Sequence, residues 1–90
     1  MPLPSMAASF EEVVTDDLLA KPMSEWASFE VSDRGRYIGA FADKFGLTAE
    51  QAGIFGLCMS AAASGPKAER FLVRDMAAAC ILYTARRTTD

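Results

Sequence analysis

Few side chains in this sequence could do acid–base or covalent chemistry, and their spacing limits them further. There is no histidine, which removes the usual general base near neutral pH and the commonest metal ligand. The two cysteines, Cys58 and Cys80, lack the CxxC spacing of a zinc site or a dithiol redox motif. Each sits in an apolar, helix-like segment, where a cysteine behaves as a small hydrophobe rather than a nucleophile. No phosphate-cradling GxxxxGK[ST] or GxGxxG pattern occurs, and the GIFG at 53–56 falls in mid-helix rather than after a strand. The four acids Glu11, Glu12, Asp16 and Asp17 crowd one short stretch that reads as a solvated helix face, not a cation cage. The expectation is therefore no catalytic residue, no cofactor and no metal, and a chain that is not an enzyme. The residual enzymatic reading is a thiol nucleophile at Cys58 or Cys80.

Charge is distributed more unevenly than the formal net value of −3 implies. Residues 1–33 carry seven acids and one Lys, whereas residues 34–90 carry eight bases and five acids. On a final helix Lys67, Arg70 and Arg74 would share one stripe at i, i+3 and i+7, and Arg86 and Arg87 would close its C-terminus, where cations suit the helix dipole. Lys67, Arg70, Arg74, Arg86 and Arg87, with Glu12, Asp16 and Trp26, form the candidate partner-binding surface.

The elements that must position these residues follow from capping and periodicity. With 90 residues the chain makes one domain, and 51% hydrophobic against 23% charged residues is a balance that favours a packed core over disorder. The first residues show no basic region followed by an apolar run, so no signal peptide is expected. Residues 51–66, the longest uncharged run, fall short of the roughly 20 residues a membrane span needs. Ser9 and Glu12 suggest a capping box opening a helix over about residues 10–20, ended before Pro22. Ser24 would cap a short turn carrying Trp26 and Phe29. Ser32 and Asp33 would start a second long helix whose Ile38, Phe41, Ala42 and Phe45 mark one face, with Gly46 as its left-handed stop. Thr48 and Gln51 form another capping box, opening a helix over about residues 49–64. Pro66 would open the last helix, over about residues 67–86, leaving residues 1–8 as a flexible segment and 88–90 as a frayed end. The fold class is all-α, a compact bundle of four or five helices whose last two form an antiparallel hairpin. Its expected core is Phe10, Val14, Leu18, Ile38, Phe41, Phe45, Ile54, Leu57, Phe71, Leu72, Met76 and Leu82, with Trp26 and Phe29 as a lid.

Two consequences concern the third long segment. Ala52, Gly56, Ser60 and Ser64 recur every four residues and form a ridge of small side chains that lets another backbone approach closely. The final helix is the expected neighbour; a homodimer through the same ridge is the alternative. A hairpin turning at Gly65 and Pro66 sets Cys58 level with about residue 73, an offset of roughly 10 Å from Cys80 at 1.5 Å per residue. A disulfide is then out of reach, and buried thiols in a cytoplasmic protein are expected.

Function is read mainly by exclusion. The leading expectation is a non-catalytic regulatory protein that binds another protein, as a small inhibitor or adaptor; an accessory protein of a phage or plasmid fits this profile. The alternative is a nucleic-acid-binding transcriptional regulator, because Phe41, Ala42, Gly46, Ala52 and Phe55 have the spacing of a helix-turn-helix. Against it, Ala49, Glu50, Gln51 and Gly53 offer one Gln and a phosphate-repelling acid where base and backbone contacts are needed.

Overall fold

The computed structural model describes residues 9–88 and is all-α. The expected flexible segment 1–8, and residues 89 and 90 of the expected frayed end, lie outside the described residues. The helices are α1 (Phe10–Val13), α2 (Asp16–Leu19), a 3₁₀ helix (Met23–Ser28), α3 (Val31–Phe45), α4 (Ala49–Ser64) and α5 (Val73–Thr88). None of the described helices is long and apolar enough to cross a membrane.

Local signals explain most of these boundaries. Ser9 caps α1, its Oγ accepting from the Glu12 backbone N–H at 3.3 Å. The single first helix expected over 10–20 is instead two, because Thr15 Oγ1 accepts from the Leu18 N–H at 3.1 Å and so opens a new N-terminus. α3 starts at Val31, before Ser32, and stops at Gly46, whose φ of 66° is the left-handed conformation that disfavours a Cβ. The capping box of α4 is closed in both directions: Thr48 Oγ1 accepts from the Gln51 N–H, and Gln51 Oε1 accepts from the Thr48 N–H.

The start of α5 departs from expectation. Pro66 does not open it; residues 66–70 form turns and the helix begins at Val73. Three backbone bonds hold this segment against the connector: the Met23 N–H donates to Phe71 O, the Ser24 N–H to Ala68 O, and the Val73 N–H to Lys21 O, at 2.8–3.0 Å. Pro22 and Leu72 form an antiparallel bridge within the same lattice, and Asp75 Oδ2 accepts from the Leu72 N–H. The carbonyls of Ala68 and Phe71 and the amide of Val73, spent on the connector in this way, are not available for a helix running through residues 67–72.

The hairpin therefore pivots later than Gly65 and Pro66. Gln51 Nε2 reaches Thr88 Oγ1 at 2.9 Å at one end, and Cys58 and Cys80 are joined by a disulfide in the middle, with their Cα atoms 5.6 Å apart. Both links fit one antiparallel register. The expectation of two free buried thiols is thus corrected, and with it the argument for a reducing compartment.

The core lies where the 3₁₀ helix, α3, α4 and α5 meet. Val73, Ala77, Cys80 and Thr84 are the buried stripe of α5, and Phe55, Met59 and Ala63 that of α4. Thr84 satisfies its hydroxyl on the Cys80 carbonyl at 2.8 Å. Of the expected core, Val14, Leu18 and Phe41 are buried, and Phe10, Ile38, Ile54, Leu72 and Met76 are partly buried. Phe45, Leu57, Phe71 and Leu82 are exposed instead. Leu57 lies two residues, about 200°, from both Phe55 and Met59, so burying those two turns it outward. Phe45 stacks on Phe41 at the rim. Met23 and Trp26, on the connector, are completely buried; Trp26 packs with Phe29 and Tyr37 at centroid distances of 6.0 and 5.9 Å.

Candidate functional site

The charged residues of the candidate surface do not come together. Lys67 and Arg70 lie in the turn before α5, so they share no helix face with Arg74. Arg74 lies in the first turn of α5 and Arg86 and Arg87 in its last, about 18 Å apart at 1.5 Å per residue. Glu12 is on α1 and Asp16 on α2, with a helix break between them. The described ion pair that crosses between elements uses neither: Lys44 Nζ of α3 meets Glu11 Oε1 at 3.8 Å. Trp26 is inaccessible and offers no surface anchor. Among the described residues, no cluster of three His, Cys, Asp or Glu side chains is placed to hold a metal ion.

The small-residue ridge has a neighbour, but it is α3 rather than α5. A Cβ added to Gly56 would stand 3.0 Å from Ile38 Cδ1, so this glycine sets how closely α3 and α4 approach. Around that contact the helices leave a groove of about 480 Å³. Its α4 side includes Ala52, Gly53, Gly56, Leu57 and Ser60; the fourth ridge residue, Ser64, is exposed and outside it. Its α3 side carries Val31, Arg34, Gly35 and Ile38, spaced to fall on one face over two turns.

Two large apolar side chains stand out from this groove into solvent: Val31 is 76% exposed and Leu57 74%. Glycine lets backbone form the groove beside them, since Gly35 and Gly53 have nothing within 4 Å of an added Cβ. Arg34 is its one charged lining residue, and no ion pair engages it among the described residues. The groove can therefore accept an apolar side chain into the space the glycines leave, between two apolar rims, and set a carboxylate against the guanidinium. Beneath it lies the buried Trp26, whose indole Nε1–H has no hydrogen-bond partner among the described residues.

Val31 and Arg34 escaped the sequence reading because they precede the strongest apolar period of α3. Leu57 was assigned to the core, although it neighbours Gly56 and lies four residues from Gly53. A large apolar residue on a face of small ones is the signal that could have found it. Comparison with known proteins finds no matching family model, no matching curated protein and no matching solved structure.

Proposed function

We propose that this chain acts without catalysis, as an inhibitor or adaptor that binds an amphipathic segment of another protein in the α3–α4 groove. The observation that carries this reading is the pair of outward apolar side chains, Val31 and Leu57, on a groove with glycine in both walls. Exposed apolar surface grouped around a concavity is a common mark of an interaction site. An amphipathic helix could place an apolar anchor over Gly53 and an acid opposite Arg34. A nucleic acid is poorly served by the same face: the exposed residues of α4 include Glu50, Gly53, Leu57 and Ser60 and no Lys or Arg.

The test is capture from a lysate of the native host on immobilised wild type, Leu57→Glu and a double Arg86→Gln/Arg87→Gln variant, each checked for an unchanged melting curve. One retained protein, lost by about tenfold or more with Leu57→Glu and kept with the double variant, supports the reading. Equal retention by all three overturns it, as does retention only of nucleic acid that weakens steeply with salt. Sizing the purified chain separates a foreign partner from a second copy in the groove.

A further inference from the structure

A second cavity, of about 310 Å³, lies between α4 and α5. Ile54, Leu57, Cys58 and Ala61 form its α4 side, and Tyr83 and Arg87 its α5 side. Cys58 lines it and is partly exposed, whereas Cys80 is completely buried and does not line it. The two cysteines of one bond therefore differ in access. We propose that the Cys58–Cys80 disulfide is an exchange site for a small anionic thiol, which enters this cavity and attacks the sulfur of Cys58.

The chemistry balances without any further reagent. The incoming thiolate sulfur uses its electron pair to form a new S–S bond with Cys58 Sγ; the old bond breaks, and its pair leaves with Cys80 Sγ, which then takes a proton from water. The external thiol is oxidised to a mixed disulfide and Cys80 is reduced to a thiol. Which sulfur is attacked depends on access. Cys58 lines the cavity and Cys80 is completely buried, so a thiol entering there meets Cys58 first. The guanidinium of Arg87 favours a thiol that carries a carboxylate. Cys80 is released in place on α5, beside the mixed disulfide on Cys58, and can displace the external thiol again. The adduct is therefore reversible: it accumulates under excess thiol and closes again when the thiol is withdrawn.

The test uses the intact, oxidised chain. It is exposed briefly under native conditions to 3-mercaptopropionate or to cysteamine, then unfolded at mildly acidic pH in a maleimide, and the adduct and the alkylated cysteine are mapped by mass spectrometry. The expected result is the thiol on Cys58 and the maleimide on Cys80, by about tenfold or more over the reverse pattern. The rate ratio of anionic to cationic thiol should fall about tenfold in Arg87→Gln, because losing one charge at about 6 Å in water slows the anion and speeds the cation by about threefold each. Arg87 is exposed, so this variant keeps its fold. Three results overturn the proposal: equal adduct on both cysteines, no adduct until denaturant is added, or a thiol ratio unchanged in Arg87→Gln.

Discussion

Reducing the Cys58–Cys80 bond should lower the melting temperature by a readily measured amount, which the register of the hairpin allows to be worked out. The bond closes a loop with a sequence separation of 22. In the chain-entropy account, opening a loop of that size returns about 11 cal/mol/K to the unfolded chain, or about 3.4 kcal/mol at 25 °C. Unfolding entropy is about 2.1 cal/mol/K per residue, hence about 0.19 kcal/mol/K for the whole chain. The two figures combine to a fall of roughly 18 °C on reduction. The assay is thermal unfolding followed by circular dichroism, oxidised and fully reduced, with a Cys58→Ala/Cys80→Ala double variant as control. The control should ignore the reductant and melt near the reduced wild type. Ala suits Cys80 better than Ser there, because that position is completely buried and a hydroxyl would need a partner. A reduced protein melting within about 3 °C of the oxidised form would refute the reasoning, by showing that the cross-link removes little freedom from the unfolded hairpin.

Other substitutions probe the close approach, the buried indole and the helix stop. Gly53→Ala should raise stability by about 0.5–1 kcal/mol, since open space surrounds its Cβ, whereas Gly56→Leu should cost about 1–3 kcal/mol against Ile38; a Gly56→Leu chain melting no earlier than its parent removes the α3–α4 contact from the argument. Trp26→Ala should cost about 3–5 kcal/mol. Trp26→Phe should cost clearly less, because it also removes a buried N–H without a partner, worth about 1–3 kcal/mol unsatisfied; urea unfolding of both variants checks the order. Gly46→Ala should lose about 1–2 kcal/mol by forcing a Cβ into the left-handed region, and a neutral result in the same assay would count against that cap.

Much of the fold was legible in the sequence, but the candidate site was legible only in part. Capping and termination are short-range, which is why α4 ran from 49 to 64 as its Thr48, Gln51 and Gly65 signals indicated, and why Gly46 ended α3. The break within the first helix was local too, carried by Thr15 ahead of two acids, but the apolar period running across it masked the signal. The ridge of Ala52, Gly56 and Ser60 was visible as a strip of small side chains, yet its neighbour was not, because small side chains permit a close approach without choosing which helix makes it.

Composition, the absence of histidine, the helical periods and most of the helix ends were set by the order of residues alone, because each depends on groups within a few positions of one another. The register of α4 on α5 was a tertiary decision. It follows from backbone bonds between residues 21–24 and 68–73, which hold back the start of α5 and turn the hairpin later. Cys58 then meets Cys80 instead of residue 73, a slide of about seven residues, or roughly 10 Å at 1.5 Å per residue. No local pattern encodes that slide, since residues 67–72 are compatible with helix on their own and leave it only when the connector supplies donors for the carbonyls of Ala68 and Phe71 and an acceptor for the amide of Val73.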